Sequence, residues 1–257
     1  MNRDADSIFD SDDFNDSLFF PRRSLSAAPA GAVDRDVDVP GETLHLRWHR
    51  LLDAAATVLL FHGNGEVVAD YDDVAPSFAA VGAELAVVDY RGYGGSTGAP
   101  TLRNAITDAG VVLAALLGEA THPVVVMGRS LGSACAAELY GQPPIAGVFG
   151  YILESGFIDL TALTQRRGLA PVTPTAEEVA VFDPLPKLQR GRAPLLVLHG
   201  DDDTLILPAE GRAAFAAAGT ADKQLVLVPG RGHNDVSSSD VYWRALGGMI
   251  SRASPQH

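Results

Sequence analysis

Cysteine is almost absent from this chain. Cys135 stands alone, so no internal disulfide can form, which fits a reducing compartment. Also missing is any apolar run near the ~18 residues that a membrane-spanning helix needs; the longest candidates, such as Val124–Met127 and Leu195–Leu198, are strand-sized. Bases are scarce, 19 Lys and Arg against 32 Asp and Glu, and the resulting net charge of −13 repels phosphate backbones. No basic cluster offsets that field, so a nucleic-acid partner is not expected. The opening stretch MNRDADSIFDSDDFNDSLFF carries acids where a secretory signal carries bases and an apolar core, so a cytoplasmic location is expected. There is no G-x-G-x-x-G or G-x-x-x-x-G-K-[ST] phosphate loop and no metal-ligand spacing of His, Cys, Asp and Glu. Neither cofactor nor metal is expected.

What the chain does have is apolar content, 47% over 257 residues, enough to bury a sizeable core. Residues 1–39 differ from the rest. Asp4, Asp6, Asp10, Asp12, Asp13 and Asp16 crowd the start, and an Ala/Pro/Ser stretch follows over 24–31. This composition buries too little apolar surface to offset the entropy of ordering it, so a mostly disordered acidic tail of unknown partner is expected. A sharper alternative makes Phe14, Leu18, Phe19 and Phe20 a short docking segment onto the body or a partner. From residue 40 to 257 a single domain is expected. Short apolar β-rich runs at 57–61, 85–90, 124–128, 148–155, 195–200 and 224–230 alternate with helix-length segments at 67–81, 101–117, 131–141, 208–218 and 239–252. Continuous apolar runs suit strands covered on both faces, and strict alternation implies a mainly parallel, doubly wound α/β sheet with helices on both sides. In such sheets ligands bind beyond the carboxyl ends of the strands.

Four strand ends carry unusual chemistry. After 124–128 comes Gly128-Arg129-Ser130-Leu131-Gly132, a G-x-S-x-G between a buried strand and a helix. Glycines flank a nucleophilic serine because the sharp strand-to-helix turn leaves no room for side chains, and the helix N-terminus favours the charge that develops on acyl attack. After 57–61 comes His62-Gly63-Asn64-Gly65, which can aim a backbone N–H at an oxyanion. Asn64 is the expected donor, the N–H of Leu131 the second, and His62 a structural imidazole that orders the loop. After 195–200 come Asp201, Asp202 and Asp203, and after 224–230 comes Arg231-Gly232-His233-Asn234-Asp235. A serine needs a base to take its proton, and the base needs a carboxylate to fix its tautomer. His233 is the candidate base; spacing alone does not choose among the three aspartates.

Together these residues resemble the α/β-hydrolase superfamily over about residues 40–257. More narrowly, the F-H-G-N, D-Y-R-G-Y-G-G-S, G-R-S-L-G-S, E-S and G-H-N-D motifs are similar to single-domain serine hydrolases related to eukaryotic protein depalmitoylases and lysophospholipases. The resemblance implies Ser130 as nucleophile and His233 as general base. The family's H-G-x-x-D turn falls on His199, Gly200 and Asp203, which implies Asp203 as the third member, with Asn64 and Leu131 as oxyanion donors. It places Asp89–Ser96 in a loop that shapes the site floor, and matches Glu154-Ser155 to a strand end of unassigned role.

Membrane-bound relatives carry an N-terminal hydrophobic helix or a cysteine cluster for lipid attachment, and this chain has neither pattern. Between Phe157 and Ala193, where family members often insert a lid, lie Pro171, Pro174, Pro184 and Pro186 and a short helix expected near 175–182. That is a short cap segment over a partly covered cleft, suited to small or medium acyl groups. Arg129 either steers an anionic substrate or pairs with an acid such as the neighbours of Asp203, and Cys135 is expected to be a buried packing residue. The expected activity is hydrolysis of a carboxylic ester or thioester through an acyl-enzyme. Acyl transfer on the same residues is one alternative, and a non-catalytic scaffold on a hydrolase fold is another.

Overall fold

The computed structural model describes residues 7–166, 168 and 173–254; Asp4, Asp6 and Pro171 lie outside them. Among the described residues eight strands form one sheet: β1 Ala32–Val39, β2 Glu42–His49, β3 Ala56–Phe61, β4 Ala83–Val88, β5 Val124–Arg129, β6 Val148–Glu154, β7 Leu195–Gly200 and β8 Lys223–Val228. Their order is β1-β2-β4-β3-β5-β6-β7-β8. Strands β3 to β8 run parallel, whereas β2 is antiparallel to both of its neighbours. The helices are α1 Asp12–Leu18, α2 Ala75–Ala80, α3 Leu102–Glu119, α4 Ser133–Tyr140, α5 Leu160–Arg166, α6 Ala176–Phe182, α7 Pro184–Arg190, α8 Pro208–Ala217 and α9 Asp240–Ala253.

The continuous apolar runs do bury both faces of the central strands. Leu59 and Phe61 of β3 join a core with residues of α3 and α4, while Val58 and Leu60 join a second core with α2 and α9. The sequence runs identify the six parallel strands but not the β1–β2 hairpin. There the apolar residues alternate with charge, and Val37, Val39, Leu44, Leu46 and Trp48 point inward. Pro40 and Gly41 make its turn, with Gly41 at φ 81°. The helix expected over 67–81 is split into a 3-10 turn at Val68–Tyr71 and α2. Asp70 accepts the Val67 N–H at 3.0 Å, and Pro76 starts α2 afresh.

The acidic start is not a disordered tail in the described residues. Phe9, Phe14, Leu18 and Phe19 are buried in the same core as α3 and α4, while Phe20 is half exposed. Composition misjudges this segment because four apolar side chains among many acids suffice once a body is present to receive them. Asn15 fixes the register. Its Nδ2 donates to the Phe9 and Ser11 carbonyls, and its Oδ1 accepts the Leu102 N–H at 2.8 Å, which caps the start of α3. Arg103 adds a bidentate pair with Asp10 at 2.7 and 2.6 Å, and Ser7 bonds Glu178 of α6 at 2.6 Å. Among the described residues the cap between β6 and β7 holds three short helices, α5 to α7, rather than one.

Candidate active site

Strand β5 ends at a backbone position that L-residues rarely take: Ser130 has φ 49°. The flanking glycines are forced by contact. A Cβ on Gly128 would lie 2.3 Å from the Gly132 carbonyl oxygen, and one on Gly132 would lie 2.0 Å from the Phe61 carbonyl oxygen. Gly132 therefore lets the turn press against the end of β3, beside the loop that carries Asn64. Ser133 Oγ donates to the Ser130 carbonyl at 2.6 Å and steadies the turn.

Ser130, His233 and Asp203, far apart in sequence, meet at the carboxyl ends of β5, β8 and β7. His233 Nε2 lies 2.9 Å from Ser130 Oγ, and its Nδ1 lies 2.8 Å from Asp203 Oδ2. Asp203 is buried, and burial alone would raise its carboxyl. Hydrogen bonds from His199, His233 and the Ile206 N–H overcome that and hold it below the usual carboxylate range. Its Oδ1 accepts the Leu205 and Ile206 N–H groups at 2.9 Å each. An ionised Asp203 requires Nδ1 of His233 to be the donor, and in the neutral ring that leaves Nε2 as the acceptor facing Ser130. Of the adjacent acids, Asp202 is exposed and Asp201 is turned away, accepting the Gly230 N–H at 2.6 Å.

Asn64 and Leu131 line, with Ser130, a small cavity whose other walls among the described residues are Leu18, Phe157, Leu163, Arg166, Leu205 and Ile206. The Asn64 side chain is tied down: Nδ2 donates to the Leu18 carbonyl, and Oδ1 accepts the Phe20 N–H at 2.9 Å and the Tyr93 hydroxyl at 2.7 Å. Tyr93 comes from the Asp89–Ser96 loop, so that loop supports the Asn64 turn. His62 is fully buried against Tyr90 and Tyr93, with Nδ1 2.7 Å from the Gly63 carbonyl, and bonds none of Ser130, His233 and Asp203. Cys135 is buried, and burial pushes its thiol up to about 12.

Arg129 does not pair with the neighbours of Asp203. It is half-buried between Glu66 at 2.6 Å and Glu154 at 3.1 Å, and its Nη2 donates to Asn234 Oδ1 at 2.9 Å. Burial alone would lower the guanidinium, but the two glutamates hold it above its ordinary value. Glu154, the strand end of unassigned role, also accepts the Tyr242 hydroxyl at 2.7 Å. Motif reading misses Glu66 as a partner of Arg129 and Leu18 as a wall, which lie outside any catalytic pattern, and it gives no supporting role to His199 and Asn234, which lie within the quoted motifs. Among the described residues no group of three or more His, Cys, Asp or Glu side chains is arranged for a metal ion, and no helix is long and apolar enough to cross a membrane.

The family model described as "Serine aminopeptidase, S33" matches residues 53–180, a span that includes Asn64, Ser130 and Leu131 and stops before Asp203 and His233. An uncharacterized protein of Mycobacterium tuberculosis is 32% identical over 186 residues, which cover 69% of this chain and 63% of that protein. The chain thus spans somewhat under two thirds of the length of that relative. Human alpha/beta hydrolase domain-containing protein 17B is 29% identical over 210 residues, 78% of this chain and 68% of that protein. Among solved structures, the Pyrococcus furiosus esterase Pf2001 superposes with a TM-score of 0.72 at 18% identity, covering 91% of this chain and 98% of the esterase. A soluble variant of the Saccharomyces cerevisiae monoglyceride lipase gives 0.69 at 16% identity, covering 92% and 99%. At such identities these two likenesses concern the fold.

Proposed function

The chain belongs to the α/β-hydrolase superfamily, and from that premise we propose that it is a serine hydrolase that cleaves a carboxylic ester or thioester of a small or medium acyl group. The observation that carries this reading is the chain of two short contacts, Ser130 Oγ to His233 Nε2 at 2.9 Å and His233 Nδ1 to Asp203 Oδ2 at 2.8 Å. His233 takes the Ser130 proton as Oγ attacks the acyl carbonyl, and Asp203 holds the ring in the required tautomer. The carbonyl oxygen becomes an oxyanion held by the N–H groups of Asn64 and Leu131. His233 then gives its proton to the leaving alcohol or thiol. Water, deprotonated by the same imidazole, releases the acid and restores Ser130. The apolar walls Leu18, Phe157, Leu163, Leu205 and Ile206 suit an acyl chain. Arg166, the one cation in the wall among the described residues, is paired with Glu210.

The test is hydrolysis of matched ester and thioester series by the full chain and by Ser130→Ala and His233→Ala. The proposal expects turnover that both substitutions abolish in folded protein. Turnover that survives Ser130→Ala would overturn it.

A further inference from the structure

The wall of the acyl cavity that motif reading misses comes from the start of the chain. Leu18 ends α1 and lines the cavity beside Asn64 and Ser130, yet it is itself fully buried. A buried lining residue closes a wall, so shortening it deepens the cavity instead of widening its mouth. We propose that Leu18 determines acyl-chain length at this site, with residues 7–23 serving as a fixed strap that holds it there. The inference rests on the hydrolase reading above.

The strap is fastened on both sides of Leu18. Before it, Phe9 packs on Phe14 at 5.1 Å and on Phe182 of α6 at 5.3 Å, and Asp10 pairs with Arg103. After it, Phe19 packs edge-on to Tyr93, and the Phe20 N–H bonds Asn64. Arg22 then donates to the Gly65 carbonyl at 2.8 Å and pairs with Asp70, and Gly94 N–H bonds the Arg22 carbonyl at 2.9 Å. Leu18 is therefore located by contacts to α3, to α6 and to both loops that flank Asn64. A side chain fixed this firmly can discriminate by size, because the wall does not yield to a longer substrate. Each methylene that a hydrophobic pocket accepts or refuses changes the rate by about tenfold or more.

The test is kcat/KM of the full chain over p-nitrophenyl esters from acetate to laurate, for wild type, Leu18→Ala, Leu18→Val and Leu18→Phe, with melting curves. Leu18→Ala should move the optimum to a longer chain and raise the ratio of long to short esters by about tenfold or more. Leu18→Phe should move it the other way. Should Leu18→Ala fail to fold, Leu18→Val and Leu18→Phe still give opposite shifts. A length profile that keeps its shape in every folded variant, while turnover still depends on Ser130, overturns the role of Leu18 and leaves the hydrolase reading intact. No turnover by folded wild type on these esters or on the matched thioesters removes both.

Discussion

Arg129→Met takes the cation away from the buried Glu154 and the half-buried Glu66, and the structure sets what that should cost. The Arg129 side chain is 13% exposed, Glu154 4% and Glu66 25%. Removing one partner from such a group leaves an uncompensated buried charge, worth about 3–5 kcal/mol of stability. Glu154 makes the loss depend on pH. Burial raises its carboxyl, and Arg129 and the Tyr242 hydroxyl pull it back. Without Arg129 its folded-state pKa climbs further above the unfolded value of about 4.3. A carboxyl raised in the folded state lowers stability when ionised. That cost is complete above the folded pKa and disappears as pH falls to the unfolded one. The deficit of Arg129→Met relative to wild type should therefore be larger at pH 8 than at pH 5, and Arg129→Met with Glu154→Gln should recover a large part of it at pH 8. Urea unfolding of the three proteins at both pH values measures this. A deficit below about 1 kcal/mol, the range of an exposed pair, or one independent of pH and of Glu154, would refute the reasoning.

Asp203→Asn should lower kcat by about 10⁴, the scale for a lost tautomer-fixing carboxylate, whereas Asp201→Asn and Asp202→Asn should leave it little changed; equal losses in ester turnover would contradict the assignment. Gly132→Ala drives a Cβ into the Phe61 carbonyl, so it should cost about 1–3 kcal/mol in a melting experiment and most of the activity. His45 is raised by its hydrogen bond to Asp89, against burial and with help from Asp34. Its contribution is present below its unfolded pKa of about 6.5 and is lost as pH rises through the higher folded value. The stability of wild type over His45→Gln should accordingly decline between pH 6 and pH 9, and a constant difference would contradict the pairing.

The parallel strands and the elbow are legible because their signals are local. An apolar run covered on both faces and a serine between glycines each announce themselves within a few residues. The choice of Asp203 needs either the family's turn or coordinates, since Asp201, Asp202 and Asp203 are chemically alike and differ in which backbone N–H groups they meet. Hidden from the sequence are effects of partners distant along the chain. Nothing near Arg129 shows that Glu66 and Glu154 will enclose it. The acid-rich composition hides Phe9 and leaves the docking of Phe14, Leu18 and Phe19 onto the body only an alternative in the sequence; all four become core once α3 and α6 are beside them. The β1–β2 hairpin is obscured likewise, because one face of β1 is a row of charges.

The most direct test of the central claim is to treat the folded full chain with a fluorophosphonate and locate the adduct by peptide mass spectrometry, beside Ser130→Ala and heat-denatured samples. The account predicts a stoichiometric adduct on Ser130 that is absent from both controls and slowed by Asp203→Asn. An unmodified Ser130 in folded protein, or an adduct on another serine that persists in Ser130→Ala, would contradict it.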